Sequence, residues 1–144
     1  MNYKIMIIPF EYNQETKTFT LRYRTIDYNQ ENINKYKSDN NLLKHARYIP
    51  HRTKGVMFVY GDNLLGYVAW EGNWIIALET IDKYKRKGYG SILLQTAVQN
   101  GCIYLTVSKY NEGAIKFYKS QGWTVYRSNG RQLVMRYGNS KSVL

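Results

Sequence analysis

The nine residues from Lys83 to Ser91 read KYKRKGYGS and set four cations among five positions directly against two glycines. Residues of these types handle phosphate. Glycine lets the backbone come close to a ligand and adopt conformations closed to other residues. Amides at the start of a helix bind oxyanions, and Lys85, Arg86 and Lys87 would add charge around them. The spacing fits neither common phosphate motif. A P-loop needs GxxxxGK[ST], and a dinucleotide fingerprint needs a third glycine where Leu93 stands. Taken alone, the stretch stays open between a basic surface turn, a nucleic-acid patch and a phosphate seat.

Other chemical groups are sparse. With only His45, His51 and Cys102 to draw on, no zinc-ligand spacing exists. A lone cysteine cannot form an internal disulfide, which fits a reducing cytoplasm. No histidine is positioned by sequence to activate Cys102, so it reads as a small buried hydrophobe in a strand. His45 and His51 flank a proline turn and read as surface polar residues.

The chain of 144 residues is 44% hydrophobic, enough for one domain, 1–144, with a real core. The opening MNYKIMIIPF carries only a short apolar run cut by Pro9, so neither a signal peptide nor a membrane span is expected. The net charge of +11 is uneven: residues 1–72 carry ten Lys/Arg against seven Asp/Glu, and residues 73–144 carry eleven against three. Such a field concentrates anionic ligands and disfavours polycationic ones.

The elements that would position the loop follow from periodicity. Residues 4–10 and 18–24 predict strands, with a polar turn at 13–17 between them. Within the polar stretch 28–54 a helix is expected from Ser38 or Asp39 through Leu42, Leu43 and Ala46, closed by Pro50. Runs 56–60, 64–70 and 74–78 form an antiparallel meander. Ile92, Leu93, Leu94, Ala97 and Val98 sit at helical spacing, and Gly101 ends that helix. A strand at 102–107 completes a βαβ unit whose two strands should be parallel. A second helix runs from Asn111, as N-cap, to Gly122, and strands 123–127 and 132–137 pair through Ser128-Asn129-Gly130. The fold class is α/β (α+β), a mixed sheet that is antiparallel at both ends. Trp70, Trp74 and Trp123 read as core or sheet-packing residues.

A second motif decides what the glycine loop is for. Asn111, Ala114, Tyr118, Gly122 and Trp123 match the pattern Asn-x-x-Ala-x-x-x-Tyr-x-x-x-Gly-(Phe/Trp) without a gap. Upstream, Lys85-Arg86-Lys87-Gly88-Tyr89-Gly90 matches (Arg/Gln)-x-x-Gly-x-(Gly/Ala), apart from lysine at its first position. With these two motifs one βα unit apart, the chain resembles the GNAT superfamily of N-acetyltransferases over residues 56–137. Arg86 also replaces a common glycine and Asp82 a frequent proline. Lysine serves a phosphate as a point charge but cannot make the fork that Arg does.

The resemblance implies a GNAT-like central sheet of about six to seven strands, with an N-terminal meander, one parallel βαβ unit and helices on both faces. It implies residues 56–137 as a cofactor-binding core and residues 1–55 as a variable acceptor-side region. It implies acetyl-CoA as co-substrate and no metal, the pyrophosphate lying on amides of Arg86, Lys87, Gly88, Tyr89, Gly90 and Ser91, with Lys85 beside them. The pantetheine would add like a strand to the edge at Glu79, Thr80 and Ile81, where two parallel strands splay. A backbone N–H near Thr80 would face the thioester oxygen. Asn111, Ala114, Phe117 and Tyr118 would line the same site. Tyr118 would be the general acid that protonates the leaving thiolate, and Glu79, with Glu71 as the weaker candidate, the base for the amine.

The implied reaction is direct acetyl transfer to a primary amine in a ternary complex, by a cytoplasmic monomer or homodimer with no membrane partner. The charge favours an acceptor, small or macromolecular, that is anionic overall. Aminoacyl-tRNA, the target of some toxins in the family, is one such carrier. The competing readings are a non-catalytic nucleic-acid-binding protein and a GNAT-like domain that binds CoA without catalysis.

Overall fold

The computed structural model describes residues 10–13, 15, 18–21, 23–37, 43, 46, 49–80 and 88–138. Of the strand expected at 4–10, only Phe10 lies among them, and it is extended. Most of the helix expected from Ser38 or Asp39 lies outside the described residues. Of its span, Leu43 and Ala46 are described; both are buried, and the Ala46 N–H donates to the Leu43 carbonyl at 2.9 Å, a tight turn with Ala46 itself not helical.

A two-stranded ribbon, β1 (Phe10–Asn13) and β2 (Thr18–Leu21), stands apart from the main sheet, with Asn13 opposite Thr18. β3 (Tyr23–Asp27) then joins the main sheet against β4 (Lys54–Tyr60). The run 18–24, expected as one strand, is therefore divided between two sheets. Alternation continues across the break, so the period alone does not reveal it.

Between β3 and β4 a helix absent from the sequence reading, α1 (Gln30–Lys37), buries Ile33 and Tyr36. Asn29 starts it by accepting from the Asn32 N–H at 2.8 Å, an N-cap hydrogen bond. With two core residues in eight, polarity hid its amphipathic stripe.

The meander follows as expected: β4, β5 (Asn63–Glu71) and β6 (Trp74–Thr80), antiparallel, with Gly61 and Gly72 at positive φ in the turns. Next come α2 (Tyr89–Gln99), β7 (Tyr104–Ser108), α3 (Glu112–Ser120), β8 (Trp123–Asn129) and β9 (Gln132–Tyr137). The seven-stranded order is β3-β4-β5-β6-β7-β9-β8, and among the described residues only β6 and β7 are parallel. This is the mixed sheet the sequence implied.

Two cores result, one on each face. Leu93, Leu94 and Ala97 of α2 pack with Phe58, Val68 and Leu105 on one face, where Phe117 and Tyr118 of α3 also lie. The other face buries Met57, Val59, Tyr67 and Ala69 beneath Ile33 and Tyr36 of α1. Gly66 is what lets α2 sit close: a Cβ there would meet the Glu79 carbonyl oxygen at 2.6 Å and Leu93 Cδ1 at 3.0 Å. Cys102 is buried as expected but precedes β7 rather than lying in it. Its N–H donates to the Ala97 carbonyl of α2, which ties it to the helix end. Among the described residues no helix is long and apolar enough to cross a membrane.

Candidate active site

The parallel pair in the sheet is also where the sheet opens. β6 and β7 are in register over two residue pairs, Trp74 with Tyr104 and Ile75 with Leu105. At the next residue β6 bulges: Ala77 pairs with Ala69 and Ile75 with Trp70, which leaves Ile76 without a partner on β5 and 51% exposed. An extra residue of this kind bends a strand and re-aims the side chains beyond it. Ala77–Thr80 stay paired to β5 while β7 diverges. The resulting cleft of 380 Å³ is lined by Trp74, Ile76, Ala77, Leu78, Thr106 and Tyr118 among others. Along it, the β6 edge turned away from β5 has no strand ladder among the described residues, and an extended ligand can add there through main-chain hydrogen bonds.

Strand alternation divides the groups around the cleft between the two faces. Leu78 and Thr80 pair with Val68 and Gly66 on the α2 face, whereas Ala77 and Glu79 pair with Ala69 and Tyr67 on the other. Thr80 Cγ2 lies 3.8 Å from where a Cβ on Gly90 would sit, and the Phe117 ring lies 3.3 Å from that point. The end of β6, the first turn of α2 and the middle of α3 thus converge. Gly88 caps α2 at φ 87 with no side-chain hydrogen bond, and the first turn holds no acidic residue. The amides of Gly90 and Ser91 are donors that the helix itself does not use, with the positive end of its dipole behind them. These features suit a pyrophosphate. Ile81, Lys85, Arg86 and Lys87 lie outside the described residues.

Tyr118 projects from α3 into the cleft, half-buried, with its ring 6.4 Å from that of Trp123. Burial raises its phenol above the usual tyrosine value. Among the described residues nothing hydrogen-bonds its hydroxyl, which leaves the proton free for transfer. Asn111 caps α3, its Oδ1 accepting from the Ala114 N–H at 3.1 Å, so that oxygen is already engaged. Ala114 is half-buried against the core and Phe117 covers Gly90. The side chain of Tyr89 is buried, edge-on to Phe58 at 5.2 Å, so only its main chain can serve a ligand.

Glu79 stands on the face opposite Tyr118, directly across from Tyr67 on β5. The Tyr67 and Tyr28 rings stack at 5.3 Å beside it. Burial pushes the Tyr67 phenol well up, with smaller contributions from the Glu79 charge and from Tyr28. Burial, then Glu79, does the same to Tyr28. Glu71 pairs with Trp74 at the far end of β6, and neither Glu71 nor Glu79 lines the cleft, although Glu79 follows its lining residue Leu78 directly. Burial pushes the Cys102 thiol up to about 12, which makes it a poor nucleophile. His51 is exposed with Arg52 and Lys54 in a separate depression at the C-terminal end of α2. His45 lies outside the described residues. Among the described residues no His/Cys/Asp/Glu group is arranged to hold a metal.

The sequence reading missed Trp74, Thr106, Tyr67 and Tyr28. Trp70 and Trp123 are core residues and Trp74 packs on the sheet by stacking on Tyr104 at 4.9 Å, as expected; its place in the lining of the cleft, half-exposed, is what the sequence did not show. The β6 bulge was the hidden signal, since it depends on pairing that spacing alone does not report.

A mixed sheet opened at its parallel pair, above a glycine-started helix, defines a class of acyl-group transferases. A model of the acetyltransferase (GNAT) family matches residues 12–123, and the chain belongs to that family. Comparison with curated protein sequences gives no match. Among solved structures the chain is similar to Arabidopsis thaliana Naa50 in complex with the bisubstrate analogue CoA-Ac-MVNAL. The TM-score there is 0.63 at 24% identity, over 83% of this chain and 100% of that one. The Escherichia coli ribosomal-protein-S18-alanine N-acetyltransferase gives 0.59 at 14% identity, over 80% and 92%. The PaiA N-acetyltransferase of Thermoplasma acidophilum, in complex with coenzyme A, gives 0.53 at 18% identity, over 78% and 80%. At these identities the likeness is one of fold.

Proposed function

We propose that the protein is an acetyl-CoA-dependent N-acetyltransferase that passes the acetyl group directly to a primary amine within a ternary complex. The observation that carries this is the cleft between β6 and β7 that Tyr118 enters, with Glu79 on the other face of β6, one residue beyond the lining residue Leu78. Donor and acceptor can then approach from opposite sides of one opening. The bisubstrate complex of Naa50 and the alanine acetylation of the S18 enzyme belong to those proteins, and they support the same chemistry here.

Each residue has a definite task in this reading. The amides at Gly88, Gly90 and Ser91 hold the pyrophosphate, aided by Lys85, Arg86 and Lys87 just before them in sequence. The free edge of β6 at Glu79 and Thr80 pairs with the pantetheine, Ile81 next in sequence continuing the contact, and a backbone N–H near Thr80 steadies the carbonyl oxygen as it gains charge. Tyr118 gives its proton to the departing sulfur. A thiol titrates near 8.5, so a phenol above 10 is a workable donor. Glu79 takes a proton from the ammonium, directly or through water, because an alkyl amine with pKa near 10.4 attacks only when neutral. Asn111, Ala114 and Phe117 shape the α3 side of the pocket. Acetyl-CoA supplies the activated acetyl group, and no metal takes part.

Residues 56–137 form the cofactor half and residues 1–55 the acceptor half of a single domain, working in the cytoplasm as a monomer or homodimer. The acceptor, small or macromolecular, is anionic overall, and tRNA-borne amines are included. The test is release of free thiol from acetyl-CoA across a panel of amines and charged tRNA. Amine-dependent release supports the proposal. Acetyl-CoA binding without release overturns it in favour of a binding domain, and RNA binding indifferent to acetyl-CoA overturns it in favour of a nucleic-acid module.

A further inference from the structure

On the sheet face that carries Glu79, three adjacent strands place Trp74, Tyr104 and Arg136 in one row as successive Cα partners. The Trp74 ring stacks on Tyr104 at 4.9 Å and 24°. The Arg136 guanidinium carbon lies 5.6 Å from the centre of the same Tyr104 ring. Tyr126 flanks Tyr104 at 5.7 Å and is 41% exposed. The row begins at the cleft, because Trp74 lines it, and so does Thr106 beside Tyr104 on β7.

Arg136 is the anomaly in this row. Its Nε and Nη1 are withdrawn from solvent and have no hydrogen-bond partner among the described residues. The carboxylate in the same row is Glu71, three strands away, roughly 14 Å at the usual strand spacing. The Tyr104 ring offers the cation a face, but a cation–π contact replaces none of the lost hydrogen bonds. Leaving charged donors buried and unpaired is costly, and Nη2, which is not among the withdrawn atoms, is the donor that would meet an incoming carboxylate or phosphate.

We infer that Arg136, seated on Tyr104, is the specificity-determining residue of the acceptor side, taking an anionic group on amines that present their nitrogen at the cleft. The inference rests on the acetyltransferase reading and names its substrate class. Arg136 is one strand across from β7 and two residues along from Thr106, which gives roughly 8 Å between the two backbone positions at standard strand dimensions. A straight chain of about six carbons spans that gap. Trp74 and Tyr126 provide apolar surface along its path.

The experiment compares 6-aminohexanoate, 6-aminohexyl phosphate and hexylamine, which share a chain and differ in the terminal anion. Equilibrium binding is measured with and without saturating CoA, alongside kcat/KM. The wild-type protein should favour at least one anionic amine over hexylamine by roughly ten-fold or more, the usual worth of a charge-assisted hydrogen bond. The two anionic arms tell carboxylate from phosphate. Arg136→Met should erase that preference, and Arg136→Lys should keep part of it. Equal binding of all three amines by the wild-type protein, or a preference intact in folded Arg136→Met, overturns the inference. Should Arg136→Met not fold, a preference undiminished in Arg136→Lys overturns it as well. An anion preference in binding with no acetyl transfer to any amine would instead overturn the acetyltransferase reading alone.

Discussion

The ring of Phe117 closes over Gly90: a Cβ at that glycine would lie 3.3 Å from Phe117 Cζ, while Thr80 approaches the same point at 3.8 Å. Helix α3, the first turn of α2 and the end of β6 therefore meet with no room for a side chain. This contact explains why a glycine loop and a motif one βα unit downstream act together, because one supplies the gap that the other fills.

Gly90→Val should force Phe117 away and weaken acetyl-CoA binding by roughly ten-fold or more. Gly88→Ala acts differently. There φ is 87 with open space around it, so the substitution strains the backbone by about 1 kcal/mol and lowers Tm by about 3 °C. Calorimetric titration and thermal melting of both variants separate the two effects.

Tyr118→Phe should lower kcat about 100-fold with the dissociation constant for acetyl-CoA unchanged. Its hydroxyl has no hydrogen-bond partner among the described residues, so the loss should leave Tm where it is. Burial holds the phenol above its usual value of 10.0, so the acid stays protonated through neutral pH. The kcat profile should show no alkaline limb from Tyr118 below pH 10. Steady-state kinetics of the two proteins checks both points.

Glu79→Gln should reduce kcat/KM for an alkyl amine roughly ten- to hundred-fold at pH 7. The deficit should shrink toward pH 10, where the amine begins to lose its proton unaided. The same substitution removes a charge that raises the Tyr67 and Tyr28 phenols. Absorbance titration should then show tyrosines ionising at lower pH than in the wild-type protein.

Cys102→Ala should keep acetyl transfer within about two-fold, since a thiol held near 12 takes no covalent part. Below pH 9 the thiol is protonated in both folded and unfolded chains and contributes nothing to the pH dependence. Between 9.0 and about 12 the unfolded chain ionises while the buried thiol does not, so stability falls across that window. Tyr28, Tyr67 and Tyr118 add a loss of the same sign from about pH 10. Denaturant unfolding at pH 7 and pH 10 should show a smaller loss in Cys102→Ala than in the wild-type protein.

Local chemistry explains which features were legible in sequence. The meander, α2, α3 and the last hairpin each carry period, cap and turn residues that agree, and each was expected near its observed bounds. α1 was missed because Ile33 and Tyr36 are its only buried residues and Asn29 marks its start without an apolar run behind it. Tyr118 was found through its motif. Trp74, Thr106 and Arg136 come together through strand order and the Ile76 bulge, which are long-range pairings that no local pattern encodes. Tyr67 faces Glu79 for the same reason.

The most direct test is a single turnover with acetyl-labelled acetyl-CoA, an amine and equimolar protein, followed by mass spectrometry of both protein and amine. Direct transfer through the β6–β7 cleft predicts label on the amine, none on the intact protein, and slow labelling with Tyr118→Phe. Label that appears first on the protein and then on the amine, or acetyl-CoA that binds and remains whole, would contradict it.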